Sequence, residues 1–243
     1  MRLLMIAMLP LLATTAACQS KWEKEGASVP ASGPGAARTY AASGFTGVDL
    51  RGSDDVDVKM GNAFSVTAEG DPKLLDQLDI QVVNGVLRVG RKDSKDGWFG
   101  HNDRGARIHV VMPKLASASV GGSGNLSVER AEGDVSAAVS GSGNLTIADL
   151  RGGMSSLSVA GSGDIDVAGV TEKLAASIAG SGDIDSTRLT ANSAEVSIAG
   201  SGDMKGVVKG GAAVSIVGSG DVELTGGAKC AVSAVGSGEA RCS

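Results

Sequence analysis

The chain has 243 residues and a formal net charge of −5 at pH 7. This acidic balance argues against nucleic-acid binding, because nucleic-acid-binding domains present a basic patch or stripe. Glycine is abundant, with 37 residues, and only 2% of the residues are aromatic. Small and β-branched side chains must therefore fill the core, which favours a thin stack of strands over a large, aromatic-walled ligand pocket.

Residues 1–18 are predicted to be an export signal. Arg2 supplies a positive charge, residues 3–12 form an apolar core, and small side chains precede Cys18. An apolar run of this length is too short to cross a bilayer as a helix but fits a secretion signal. The sequence therefore predicts an exported protein of the bacterial envelope, in the outer membrane, in the periplasm or on the cell surface.

Cys18 is the predicted lipidation site. It follows two alanines, and small residues before a cysteine resemble the bacterial lipoprotein signal, in which that cysteine becomes the lipid-carrying N-terminus. Thr15 departs from that pattern, which prefers Leu at this position. The alternative is an ordinary signal peptide cleaved near Ala17.

Residues 19–43 are rich in Ala, Gly, Ser and Pro and show no sustained hydrophobic period. This composition is typical of flexible or disordered segments that bury too little apolar surface to fold. We predict a disordered tether that holds the folded domain away from its membrane.

Residues 44–113 are predicted to form the N-terminal, β-rich part of the folded domain. Apolar and polar residues alternate in short runs between Phe45 and Ala68, which is typical of half-buried strands. The run that begins at Gly52, Gly-Ser-Asp-Asp-Val-Asp-Val, parallels the run that begins at Gly161, Gly-Ser-Gly-Asp-Ile-Asp-Val. A degenerate copy of the later repeats is therefore expected near the front of the fold.

A short helix and a hairpin follow in the same part of the chain. Asp71 is a good N-cap and Pro72 suits the first helical position, so a helix is expected near residues 71–79. Asn84 and Gly85 lie between two apolar runs. This dipeptide is a strong signal for a type I′ turn and predicts a β-hairpin.

The polar loop at residues 92–106 contains Trp98 and Phe99, two of the few aromatic residues in the chain. Loops of this length are uncommon and are often functional or disordered. Trp98 and Phe99 are therefore candidate contact residues for a partner. The alternative is a flap that places both rings on the core.

Residues 114–243 are predicted to form the repeat region. Gly-Ser-Gly occurs there seven times, at spacings of 19, 20, 19, 20, 18 and 18 residues. Apolar residues stand two positions before each first glycine (Val120, Val139, Val159, Ile178, Ile198, Ile216 and Ala234) and four positions after it (Leu126, Leu145, Ile165, Ile184, Met204, Val222 and Ala240). Each repeat is thus expected to hold two short strands joined by a glycine bend. We predict an all-β fold, a right-handed parallel β-solenoid with one short helix.

The residue after each Gly-Ser-Gly forms a polar column: Asn125, Asn144, Asp164, Asp183, Asp203, Asp221 and Glu239. Stacked carboxylates repel one another, so solvent, backbone amides of the bend or a cation must relieve the repulsion. Turn chemistry is the favoured interpretation. Calcium at Asp164, Asp166, Asp183 and Asp185 is the alternative, because oxygen-rich clusters suit that ion. No other cofactor is expected.

Cys230 and Cys242 lie six positions before and after the last repeat's first glycine. Alternation places both side chains on the inward side of their strands. If Cys18 is lipidated, these two cysteines remain to pair in an oxidising compartment. We call each turn of the solenoid a rung. A disulfide there closes the final rung and stabilises the fold by about 3 kcal/mol for a loop of this size.

These motifs together resemble the head GIN domain family, whose members are described as autotransporter adhesins and whose function is unknown. The resemblance covers residues 44–243 and rests on Phe45, Val48–Leu50, Asp55–Val58, Phe64–Gly70, Asn84-Gly85, Val111–Leu115 and the Gly-Ser-Gly-Asp/Asn turns. It implies a β-solenoid on an exported, envelope-associated protein. It brings no catalytic or binding residues with it.

The favoured functional hypothesis is a non-catalytic envelope protein, attached to the membrane by its N-terminal lipid, that contacts a protein or a surface glycan. A calcium-stabilised structural module is the first alternative, and a polysaccharide-acting β-helix enzyme is the second. Against an enzyme, the chain has only two histidines, and no aromatic residue follows Gly122. Carbohydrate-binding grooves usually carry aromatic platforms.

Overall fold

Short parallel strands stacked along one axis make up most of the molecule, which confirms the predicted all-β solenoid. The structure, a computed structural model, describes residues 26–92 and 105–243. Export-signal residues 1–18, residues 19–25 and the aromatic pair Trp98 and Phe99 lie outside the described residues. No helix in the described ranges is long and apolar enough to cross a membrane.

The repeat region contains twelve strands: β9 (Ser117–Val120), β10 (Asn125–Val128), β11 (Ala131–Glu132), β12 (Val135–Gly141), β13 (Asn144–Gly161), β14 (Ile165–Gly180), β15 (Ile184–Gly200), β16 (Met204–Val208), β17 (Gly211–Gly218), β18 (Val222–Thr225), β19 (Lys229–Gly236) and β20 (Ala240–Cys242). Equivalent residues of successive repeats pair in register, as in Ile178 with Ile198 and Ile165 with Ile184. The columns visible in the sequence are therefore the physical ladders of the solenoid.

The Gly-Ser-Gly bend joins the strands because of two distinct properties of its glycines. Gly180 has φ +141°, a conformation that residues with a β-carbon rarely adopt. The bend also stacks directly on the bend below it, since the amides of Ser181 and Gly182 both donate to the carbonyl of Gly161, at 2.8 and 3.1 Å. Each bend thus fixes the rung spacing at the corner of the stack.

A third side completes each middle rung, beyond the two strands expected per repeat. In β13 to β15 the ladder is interrupted by register shifts, for example between Asp166 and Ala168, and then resumes. Gly169, with φ +129°, turns the chain at this corner and packs against the backbone of Leu150. The inward apolar residues of all three sides form one continuous core.

Within residues 26–92 and 105–113, the N-terminal part contains eight strands and one helix: β1 (Ala31–Ser32), β2 (Ala37–Tyr40), β3 (Gly47–Leu50), β4 (Asp55–Met60), β5 (Ser65–Glu69), α1 (Pro72–Gln77), β6 (Leu78–Val83), β7 (Val86–Arg91) and β8 (Arg107–Met112). β3 pairs in parallel with β9, and β4 pairs in parallel with β10. These pairings confirm the degenerate repeat predicted at Gly52, which forms a rung below the first regular one.

The helix and the hairpin form where they were predicted. Asp71 caps α1, because its carboxylate accepts the amide of Lys73 at 2.9 Å. Asn84 and Gly85 adopt φ +51° and +76°, which suits the tight turn between β6 and β7. The helix buries Leu74 and Leu75 against the N-terminal end of the core.

The prediction of a disordered tether was wrong for residues 26–43. β2 pairs antiparallel with β5, and Tyr40 at its end is 3% exposed. The four-residue alternation of β2 is too short to stand out among the surrounding glycines and serines. It is ordered because the edge of β5 offers a ladder of backbone groups, and this tertiary pairing overrides the local composition.

The two ends of the stack differ. At the N-terminal end, the antiparallel strands β2, β5 and β6 and the helix cover the first rungs. At the C-terminal end, β19 and β20 form the last rung. Val232 of β19 belongs to a column of inward-facing side chains, and it is 49% exposed. The core is thus closed at one end and open at the other.

Candidate functional site

The polar column beside the bends forms a continuous hydrogen-bonded ladder. The carboxylate of Asp164 accepts the backbone amide of Asp183 at 2.9 Å, and Asp183 accepts the amide of Asp203 at 2.8 Å. The contact repeats from Asp203 to Asp221 and from Asp221 to Glu239, each at 2.8 Å. Backbone amides therefore offset the repulsion between the stacked carboxylates, as the turn-chemistry interpretation requires.

The asparagines at the start of the column pair through their side chains instead. The Asn144 amide donates to the side-chain oxygen of Asn125 at 3.0 Å, and the Asn125 amide donates to Asp55 at 2.9 Å. The ladder thus extends into the degenerate repeat, where Asp55 fills the same place. Asn and Asp are interchangeable in this column because each has a side-chain oxygen that accepts a hydrogen bond from the next residue of the column.

The four carboxylates considered for calcium have separate protein partners. Arg188 binds both oxygens of Asp166, at 2.7 and 2.8 Å. Asp185 accepts the hydroxyl and the amide of Thr187, at 2.6 and 2.9 Å. Across residues 26–92 and 105–243, no group of three or more His, Cys, Asp or Glu side chains has an arrangement suited to a metal. Calcium binding there remains a prediction without a preformed ligand cluster.

The hydrogen bonds of Asp185 affect its pKa. Hydrogen bonds from the hydroxyl and then the amide of Thr187 hold its pKa below the ordinary value of 3.8. A lowered folded-state pKa means that this stabilisation is present above pH 3.8 and is lost as the pH falls through the folded value.

We expect Thr187→Val to raise the pKa of Asp185 toward 3.8, because the substitution removes the hydroxyl donor and keeps the amide. Titration of the Asp185 carboxyl by NMR measures the change. Thr190→Val, in the same strand, is the control, since Asp185 accepts no hydrogen bond from Thr190. An unchanged pKa in Thr187→Val would show that the hydroxyl bond does not form in solution.

The predicted disulfide is present between Cys230 and Cys242, whose Cα atoms are 6.4 Å apart. It joins the start of β19 to the end of β20. In the middle rungs a third strand segment runs between these two sides. The disulfide therefore closes the last rung at the position that the third side occupies elsewhere.

The outer face of the sheet that precedes the bends carries two exposed columns of small residues. We call it the serine–alanine face. One column is Ala138, Ser158, Ser177, Ser197, Ser215 and Ser233, and the other is Ser140, Ala160, Ala179, Ala199, Val217 and Val235. Val217 and Val235 are 56% and 67% exposed. Both columns are uncharged and repeat at the rung spacing.

An open groove of about 420 Å³ lies where the N-terminal part meets the repeats. It is lined by Met60, Pro113, Lys114, Leu115, Arg130, Glu132 and Gly133. Arg130 is engaged with Asp149 at 3.2 Å. The groove thus combines a few charged groups with apolar walls and does not bring a nucleophile, base and acid together.

Comparisons with known proteins agree with this architecture. The family model described as "Putative auto-transporter adhesin, head GIN domain" matches residues 44–228. The chain belongs to the head GIN domain family. The comparison with functionally curated proteins gives no significant match.

Solved structures share the fold of this head GIN domain. A "putative adhesin" from Bacteroides fragilis superposes with a TM-score of 0.79 at 20% identity, covering 87% of this chain and 98% of its own. A "putative lipid binding protein" from Parabacteroides distasonis has a TM-score of 0.67 at 23% identity, covering 88% and 98%. A "putative adhesin" from Parabacteroides merdae has a TM-score of 0.66 at 19% identity, covering 86% and 97%. At these identities the similarity establishes the fold.

One buried charged residue of the head GIN domain was missed in the sequence. Asp54 is fully buried, and its carboxylate binds Arg91 at 2.8 and 3.2 Å and accepts the amide of Ala106 at 2.8 Å. It therefore joins the residues on either side of segment 93–104. The signal was available, because Asp54 stands where the regular repeats have the second glycine of Gly-Ser-Gly. An acidic residue at a tightly packed position requires a specific partner.

Proposed function

We propose that this chain is an exported, non-catalytic protein of the bacterial envelope that uses its solenoid as an adhesive or protein-binding surface. The serine–alanine face is the observation that carries the proposal. A sheet that exposes Val217 and Val235 beside a column of serines offers apolar contact and hydrogen bonding on one face. The two valines are ladder neighbours, so their exposed apolar surface is contiguous, as it is in interaction sites.

The family and the neighbouring structures support an adhesion-like role. The family description and the names of the Bacteroides fragilis and Parabacteroides merdae proteins refer to adhesins. We propose that the export signal at residues 1–18 directs the chain to the envelope and that Cys18 carries a lipid. The aromatic pair Trp98 and Phe99 remains a proposed second contact point.

The anchor is tested by labelling cells with a fatty acid and recovering the protein. Wild-type protein should incorporate the label, and Cys18→Ala should not. Unlabelled wild-type protein would refute the lipid anchor without bearing on the binding surface.

The binding surface is tested with cells that express the protein and are allowed to settle on mucin-coated or bare polystyrene. The double variant Ser197→Lys and Ala199→Lys places two charges on the serine–alanine face, and we expect attachment to fall at least about tenfold, which corresponds to a loss of roughly 1.4 kcal/mol. Ser181→Lys, in the exposed bend of the previous rung, is the matched control and should attach normally. Equal attachment of all three would refute adhesion through the serine–alanine face.

A further inference from the structure

The last rung, formed by β19 and β20, has a strand neighbour on one side only. β19 pairs with β17 and β20 pairs with β18, and in the described ranges no strand lies beyond them. Val232 is 49% exposed, whereas its ladder neighbour Val214 is 3% exposed. Unpaired backbone groups together with exposed inward side chains form a template for another strand.

The opposite end of the stack cannot serve as that partner. β6 is covered by residues 28–29, whose backbone bridges to Gln81 and Ile80. β2 is covered by the two-residue strand β1, which is too short to extend a sheet. Head-to-tail stacking of copies is therefore blocked. Two C-terminal rungs can still meet through a two-fold axis, which forms a closed dimer.

Charged side chains on the outer side of β20 indicate which charges a partner strand must carry. Over the last four rungs, the residues of one ladder column alternate in sign: Asp185, Lys205, Glu223 and Arg241. The next rung in this series would place a carboxylate over Arg241. Antiparallel pairing of two β20 strands about Ala240 does so, because it brings Glu239 of each copy opposite Arg241 of the other.

The same pairing completes the polar column. Each aspartate from Asp164 to Asp221 has a hydrogen-bond donor on the rung above it. Glu239 is the last member, and within the chain its carboxylate is bound by Arg241, at 3.0 Å, on its own strand. A second copy supplies the missing donor in the form of its own Arg241.

We propose that the C-terminal rung is a self-association surface that binds the C-terminal rung of a second copy through two-fold antiparallel pairing. The exposed apolar residues Val232 and Ala234 of both copies are then covered. The two N-terminal ends point in opposite directions, each roughly 40 Å from the interface, because nine rung spacings of about 4.8 Å separate β6 from β19. If the proposed envelope location holds, the dimer joins two cells whose copies meet tip to tip.

The self-association is tested with the purified full chain by sedimentation equilibrium. Glu239→Arg leaves two positive charges on the rung and Arg241→Glu leaves two negative charges. We expect each variant alone to dimerise at least about tenfold more weakly than wild type, because like charges face each other across the axis. A mixture of the two should regain dimerisation, since their charges are complementary only between copies.

Glu195→Arg is the matched control. Glu195 forms an exposed ion pair with Lys173 at 3.4 Å in the middle of the solenoid, and its reversal should leave dimerisation unchanged. A monomeric wild-type chain at about 200 μM would overturn the proposal. So would a mixture of the two folded variants that stays monomeric.

Cell mixing separates this inference from the proposed adhesive function. Cells expressing Glu239→Arg and cells expressing Arg241→Glu should clump with each other and not among themselves. Dimerisation in solution without clumping would retain the interface and refute contact between cells. Attachment to mucin that depends on Ser197 and Ala199, together with a monomeric chain, would retain adhesion and overturn the dimer.

Discussion

Gly182→Ala should unfold the solenoid at a markedly lower temperature than wild type. A β-carbon at this position would lie 2.0 Å from the carbonyl oxygen of Gly163 and 2.9 Å from a methyl group of Val159. The neighbouring oxygen belongs to the backbone of the rung below, so it cannot move aside without shifting the ladder. We expect a loss of about 3 kcal/mol, the upper range for overpacking a core. This corresponds to a decrease in Tm of about 10 °C for a chain of this size.

Gly211→Ala is the matched control for this experiment. A β-carbon on Gly211 meets nothing within 4 Å, and the residue lacks a positive φ. The substitution should leave Tm unchanged or raise it slightly, because alanine lowers the entropy of the unfolded chain. Calorimetry of both variants measures the difference. A Gly182→Ala protein that melts within about 2 °C of wild type would show that the bends do not stack as described.

The regular part of the solenoid could be predicted because each repeat places the same residue types at the same distance from its bend. Ile178 and Ile184 flank one bend at the same distances as Ile198 and Met204 flank the next, so the register of the ladders follows from alignment. The helix behind Asp71 and the hairpin at Asn84 were also predictable, since local turn chemistry determines both.

The third side of the rungs was not predictable from the same columns. The repeats vary from 18 to 20 residues, and the register shifts fall between Ile147 and Leu150, and between Ser186 and Thr190. When the repeats are aligned on the bend, equivalent residues are therefore no longer matched beyond the strand that follows the bend. Strand β2 was missed for another reason. Its order depends on pairing with β5, more than twenty residues later in the chain, and local sequence does not encode that contact.

The candidate site was predictable only in part. The sequence identified the polar column and left open what relieves its repulsion, because the direction of each carboxylate depends on the stacking of the bends. The cysteine pair was predictable from the alternation of inward and outward side chains, since both residues fall on the inward side of the last rung. The open end was not apparent, because Val232 follows the same pattern as its buried counterparts.

Asp54→Ala should cost about 2–3 kcal/mol of folding free energy, the upper range for leaving a buried polar group without its hydrogen-bond partner. Asp54 is fully buried, and its carboxylate satisfies both Arg91 and the buried amide of Ala106. Removal leaves the buried amide of Ala106 without this acceptor, whereas the Arg91 side chain is 28% exposed and can be solvated. Urea unfolding measures the loss. Asp55→Ala, at the half-buried neighbouring position, is the control and should cost no more than about 1 kcal/mol, since it removes one hydrogen bond from Asn125.

Asp54→Asn distinguishes the contribution of the charge from that of the amide contact. The asparagine oxygen can still accept the amide of Ala106, so this variant should fall between wild type and Asp54→Ala. Hydrogen exchange at Ala106 gives a local measurement, since its protection should persist in Asp54→Asn and fall in Asp54→Ala. Equal losses in both variants would assign the stabilisation to the pair with Arg91. Every regular repeat has a glycine at the position of Asp54. A loss below about 1 kcal/mol in Asp54→Ala would therefore mean that this rung is stable without the buried Asp54 carboxylate.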